Sequence, residues 1–273
     1  MKRTLGSLAA CVVVLAATCA QAVTVPIVSS RDTTHYKGQP NNANGQGVGM
    51  FVGQDQGGAT TSKRALVGFD IAGNIPAGAT IVSVQLGLTF GMAAGSGGTL
   101  GNGDQTPRQI DLLRMTSDWI EGASGTGSTS IGGTGQGFAA NAGAPTWNNR
   151  VHPSTPWSTA GGGGDFVGAV SASTVVGNPT TNAVFTWGST ASMVADVQAW
   201  LDNPSQNFGW ILKANDESAT QSFRAFFTHN STNADFRPTL NVTYVPEPSA
   251  LALLASGALG LACVALRARR TRV

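Results

Sequence analysis

The chain has 273 residues, of which 36 are glycine and only 11% are charged. Charge at less than half the usual ~25%, with nearly twice the usual glycine, excludes a coiled coil, an ordinary helical bundle and a polyelectrolyte. The formal charge of +2 and the hydrophobic fraction of 41% describe the whole chain, and much of the apolar content sits in two terminal runs that are set aside before the rest is judged.

At the N-terminus, Lys2 and Arg3 precede a mostly apolar run from Leu5 to Ala17 and then Ala20-Gln21-Ala22. This charged, apolar, small-residue order predicts a secretory signal over residues 1–22, removed by signal peptidase. The apolar run is shorter than the ~20 residues a bilayer needs. Residues 23–244 then form one exported domain. Cys11 and Cys19 lie in the signal and Cys263 in the C-terminal run, so this domain has no disulfide and must be held by its own core.

Alternation of apolar and polar residues predicts strands over Val48 to Val52, Arg64 to Ile71, Ile81 to Phe90 and Gln109 to Met115. In the third, Val82, Val84, Leu86, Leu88 and Phe90 are expected on one buried face. Further strands are expected over Phe166 to Ser171, Ala183 to Trp187, Phe208 to Leu212, Ser222 to Thr228 and Thr239 to Tyr244. Between them, Met193, Val197 and Trp200 have helical spacing, and Asp202-Asn203-Pro204 ends the run, so a short helix is predicted over Ser192 to Leu201. The stretches 91–104, 122–143 and 160–164 are rich in Gly, Ser, Thr and Asn and read as mobile loops. About nine strands with glycine-rich turns predict an all-β fold, an antiparallel β-sandwich or jelly roll with one short helix.

The chain ends with Val245-Pro246-Glu247-Pro248-Ser249, an uncharged apolar run over residues 250–266, and Arg267, Arg269, Arg270 and Arg272. Physically this is a marginal inner-membrane helix stopped by a basic cluster, leaving the domain facing outward. Residues 245–273, with Pro246, Glu247 and Pro248 as the motif, also resemble the PEP-CTERM sorting signal of Gram-negative bacteria. The resemblance implies processing by an exosortase and a place in the cell envelope, on the surface or in the biofilm matrix. Without the two ends, 10 of the 16 basic and 13 of the 14 acidic residues remain, a balance of about −3 that gives no reason to expect a nucleic-acid partner.

The middle of the chain resembles the DNRLRE-type carbohydrate-binding-like β-sandwich family. The resemblance rests on Arg64-Ala65-Leu66-Val67-Gly68-Phe69-Asp70, Ile75-Pro76-Ala77-Gly78-Ala79-Thr80-Ile81, Asp118-Trp119-Ile120-Glu121 and Thr146-Trp147-Asn148-Asn149. It continues through Trp157, Gly163 to Asp165, Val197 to Trp200, Asn207 to Lys213 and Arg237 to Tyr244. The glycine-rich insertions are longer than that pattern, and Asn41-Asn42-Ala43-Asn44-Gly45 matches its polar first loop only loosely. The resemblance implies a polysaccharide partner.

Candidate site residues are chosen by their chemistry. Trp119, Trp147 and Trp157, beside turn residues and with Asn148 and Asn149, are candidates for stacking and hydrogen bonding to a glycan, whereas Trp200 and Trp210 are expected in the core. Asp118, Glu121 and Asp165 offer hard oxygens suited to Ca2+, or caps for turns, although no EF-hand loop is present. A glycosidase pair among them would need carboxylates about 5 to 9.5 Å apart, and nothing else points to hydrolysis. His35, His152 and His229 stand apart in the sequence, which predicts no zinc site. Arg64, Arg224 and Arg237 are expected to pair with acids such as Asp70 and Asp235. The expectation is a non-enzymatic exported protein that binds or scaffolds exopolysaccharide, with a purely structural surface protein or a polysaccharide-degrading enzyme as alternatives.

Overall fold

The computed structural model describes residues 21–247; most of the signal peptide, Pro248 and the apolar tail lie outside them. In chain order the strands are β1 (Val23–Val28), β2 (Arg31–Tyr36), β3 (Asn42–Ala43), β4 (Gly49–Val52), β5 (Lys63–Gly68), β6 (Thr80–Ala93) and β7 (Arg108–Met115). There follow β8 (Phe138–Ala139), β9 (Asn149–Val151), β10 (Thr155–Pro156), β11 (Phe166–Val176), β12 (Val184–Trp187), the helix α1 (Ala191–Asp202), β13 (Trp210–Ala214), β14 (Arg224–Phe227) and β15 (Thr239–Val245). One sheet has the order β1-β15-β6-β14-β4 with β12 also on β6, and the other the order β11-β7-β13-β5-β2. All strand pairs are antiparallel, and their apolar faces meet in one continuous core. The all-β sandwich is therefore as expected.

β6 spans 14 residues and organises its sheet, pairing with β15 through Leu86↔Leu240 and Val84↔Val242 and with β14 through Phe90↔Phe226. Val84, Leu86, Leu88 and Phe90 are buried as the alternation predicts, but Val82 is 52% exposed and Ile81 is buried instead. The reason is a register shift between Thr243 and Tyr244 on β15, which rotates the start of β6 by one residue.

α1 begins at Thr190, whose hydroxyl accepts the Met193 N–H at 3.0 Å, an N-cap that satisfies one of the free donors of the first turn. Its apolar stripe of Met193, Val197, Trp200 and Leu201 is buried. Trp200 meets Trp210 edge to face at 4.4 Å, so both tryptophans are core residues.

The glycine-rich stretch 122–143 is packed rather than free. A short 3-10 turn over Gly132–Thr134 and the β3–β8 pairing lie within or against it, and Tyr36 donates its hydroxyl proton to the Thr134 carbonyl at 2.8 Å. Gly137 has φ +64 and backs onto the Tyr36 ring, where a Cβ would collide. Glycine here permits close approach, which composition alone presents as disorder. The stretch covers β2, an edge strand that is buried at every position but its first.

Candidate functional site

Beside β2, three distant segments converge. Asp32 lies on β2, Glu121 comes after β7, and His229 comes two residues after β14. One potential ligand atom from each of Asp32, Glu121 and His229 lies within 4.8 Å of the other two. His229 Nδ1 is 3.2 Å from Asp32 Oδ2 and 3.3 Å from Glu121 Oε1, yet it forms no aligned hydrogen bond with either. The backbone fixes the group: the His229 N–H donates to Asp32 Oδ2 at 2.9 Å and the Asp32 N–H to Glu121 Oε1 at 2.7 Å. Ser29 Oγ donates to Asp32 Oδ2 at 3.0 Å, and Gln46 Nε2 donates to Glu121 Oε2 at 2.9 Å.

The first polar loop forms one wall. Gly45 passes so close to Glu121 that a Cβ would strike the Glu121 carbonyl. Thr228 Oγ1 donates to the Gly47 carbonyl at 2.7 Å, and Asn230 Nδ2 donates to that of Gly45 at 3.0 Å. Asp32 is fully buried and its Oδ1 has no hydrogen-bond partner. Burial, and then the nearby Asp32 charge, push the Glu121 carboxyl up to about 8. Burial opposes a charged His229, but the closeness and charge of Asp32 and Glu121 outweigh it and leave that imidazole raised. The adjacent cation, Arg31, is engaged elsewhere: it pairs with Asp118 at 2.9 Å and donates to the carbonyls of Trp119 and Asn207.

Only Glu121 of the expected calcium set belongs to this group. Asp118 is exposed and paired with Arg31. Asp165 is buried and committed, accepting from Ser117 Oγ at 2.6 Å, from the Ser158 N–H at 2.6 Å and from Ser158 Oγ at 3.2 Å. His229, isolated in sequence, is not isolated in space, where Asp32 and Glu121 face it. Asp32 and its place in the group had no sequence signal.

The three candidate tryptophans are buried, at 1% exposure for Trp119, 6% for Trp147 and 4% for Trp157. The protein's own cations occupy two of them: Arg31 lies 4.4 Å from the Trp119 ring centre, while Arg64 and Lys37 lie 5.1 and 5.8 Å from that of Trp147. Trp157 packs against His35 at 5.2 Å and donates its indole N–H to Thr146. None presents a free face to a sugar ring, which corrects the expected stacking platform. Asn148 is exposed and Asn149 half-buried, with the Asn149 amide turned to the Pro153 carbonyl. The arginines also find other partners: Arg64 pairs with Glu217 at 2.7 Å, Arg224 with Asp104 at 3.1 Å, and Arg237 donates to the Ser231 carbonyl.

A second concave feature is an open cleft of about 480 Å³ lined by Gln39, Asp55, Gln56, Gln136, Gln221 and Phe223 among others. Its four glutamines are exposed. Gln136 Nε2 donates to Asp55 Oδ2 at 3.0 Å, and Lys63 Nζ sits 2.8 Å from the same carboxylate oxygen. Gln221 is the one non-glycine residue with positive φ (47°) among the described residues, and its N–H is tied to the Asp55 carbonyl at 3.0 Å.

Comparison with protein families finds the PEP-CTERM protein-sorting motif over residues 245–270. No curated protein matches the chain. The motif makes this an exported, envelope-sorted protein handled by an exosortase, as residues 245–273 led us to expect. Among the described residues it includes Val245, the last residue of β15, together with Pro246 and the exposed Glu247.

Proposed function

We propose that the exported sandwich is a non-enzymatic module that holds exopolysaccharide in the cell envelope or matrix, using the glutamine-lined cleft rather than its tryptophans. The observation that carries this reading is the convergence of Gln39, Gln56, Gln136 and Gln221 with Asp55 on one open cleft of about 480 Å³. Neutral amides offer donors and acceptors together, the pattern that matches sugar hydroxyls, and the volume lies within the ~300–1,000 Å³ of ligand sites. The positive φ of Gln221 supports the same reading, because strained backbone concentrates at binding sites. The likeness of the chain's segments to the DNRLRE-type family agrees with a glycan partner.

The absence of turnover in this proposal has its own support. Asp55 is the single carboxylate lining the cleft, whereas glycoside hydrolysis ordinarily uses two on opposite sides of the bond. Affinity electrophoresis of the purified full-length chain, in gels containing the producing organism's exopolysaccharide, tests the reading. Wild type should be retarded, and Gln56→Ala/Gln136→Ala should run as in a plain gel with its Tm unchanged within about 1 °C, as exposed substitutions allow. Unretarded wild type would transfer the protein to the purely structural alternative, and release of new reducing ends would transfer it to the enzymatic one.

A further inference from the structure

We propose that Asp32, Glu121 and His229 bind a divalent transition-metal ion of the zinc type, which ties the two sheets and the segment after β7 together. The spacing of the imidazole from both acids fits such an ion. Four ligands at ~2.0 Å in a tetrahedron lie about 3.3 Å apart, and His229 Nδ1 is 3.2 and 3.3 Å from its two carboxylate neighbours. The ligand types also fit, since one imidazole and two carboxylates suit zinc, leaving one position for solvent.

Two further observations point to a cation as the partner of this group. Asp32 Oδ1 is fully buried without a partner, and His229 Nδ1 faces both acids with no aligned hydrogen bond. Buried polar atoms ordinarily find partners, and the nearest fixed cation, Arg31, is spent on Asp118 and two carbonyls. The supporting hydrogen bonds from Ser29 to Asp32 and from Gln46 to Glu121 are of the kind that orient metal-binding carboxylates. Calcium fits less well, because it takes six to eight oxygens and this group offers a ring nitrogen.

The ion would do the work of a cross-link in a domain without cysteine. Asp32 belongs to the edge strand of one sheet, His229 comes just after β14 of the other, and Glu121 comes from the loop between β7 and β8. This inference is independent of the cleft and of any glycan.

The test uses the untagged full-length chain, stripped with chelator and titrated with zinc chloride alone, then with cobalt(II) chloride alone. One zinc per chain is expected, with a Tm rise of roughly 5–10 °C at about a hundred times Kd, and cobalt should give the strong visible bands of a four-coordinate site. Because Asp32 is buried and its loss can unfold the sandwich, His229→Ala and Glu121→Gln carry the test. Each should weaken zinc binding about a hundredfold or more, and Gln46→Ala about tenfold with the cobalt bands kept. The proposal is overturned by no stoichiometric zinc, by zinc binding that survives His229→Ala unchanged, or by calcium chloride alone giving the same Tm rise.

Discussion

At the scale of single residues, burial of a titratable ring makes the most direct claim on stability. His35 is fully buried on β2, opposite Arg64 on β5, and neither ring nitrogen has a hydrogen-bond partner. Desolvation, and then the Arg64 charge, lower its pKa from 6.5 to about 3. A base whose folded pKa is depressed contributes stability that is complete above its unfolded pKa and is lost as pH falls toward the folded one. The window here is therefore pH 6.5 down to 3, and a gap of that size corresponds to on the order of 5 kcal/mol. Urea unfolding at pH 7 and pH 4 should show a smaller acid loss for His35→Leu than for wild type. An equal loss in both proteins would remove His35 from the acid response. The same scale shows where sequence reading stops. Trp200 and Trp210 betray their burial by periodicity, but Trp119 and Trp147 are hidden beneath Arg31 and Arg64, residues more than 80 positions away. Asp32 and His229 meet across 197 positions, and no local spacing can announce that.

At the scale of elements, legibility depends on whether an element has one wet face. β15 alternates along its length and β6 over its first half, and both are readable. β2 is not, because its sequence Arg31-Asp32-Thr33-Thr34-His35-Tyr36 is polar and yet nearly all buried, its Thr33, Thr34 and Tyr36 hydroxyls bonded to protein groups rather than to water. The Thr34 hydroxyl, for instance, accepts the Phe51 N–H at 3.1 Å. β1 is equally silent, since Pro26 interrupts it and its residues are mostly exposed. The helix is readable to within one residue at each end because cap, stripe and stop agree. That agreement makes α1 a test of local energetics. Thr190 accepts the Met193 N–H and donates to the Ser171 carbonyl on β11, while Asp196 receives the Trp210 indole N–H at 2.9 Å and Ser171 Oγ at 2.6 Å. Loss of the cap by Thr190→Ala should cost about 1–2 kcal/mol, and Thr190→Ser should recover most of it. Denaturant midpoints of the three proteins decide this, and a Thr190→Ala midpoint equal to wild type would show that β11 packing alone holds the helix.

At the scale of the whole molecule, the sandwich and the sorting signal abut with no spacer. β15 lies between β1 and β6 in its sheet, and its last pair is Val245↔Thr80, while the sorting motif starts at that same Val245. β15 is hydrogen-bonded on both sides, so the sheet holds it in place. Glu247 is exposed just beyond the final pair, so a processing enzyme would meet the motif against a folded wall. Folding and address are consequently separable: a chain ending at Glu247 keeps every strand pair and every core residue described above, and loses only the remainder of the signal. Its Tm should match that of the full-length chain within about 1 °C, since no contact among the described residues is removed. Its location should change, from the envelope fraction to the culture medium, and immunoblots of fractionated cells would show it. Retention of the truncated chain in the envelope would mean that the sandwich itself holds the protein there, placing the attachment on the domain surface instead of the tail.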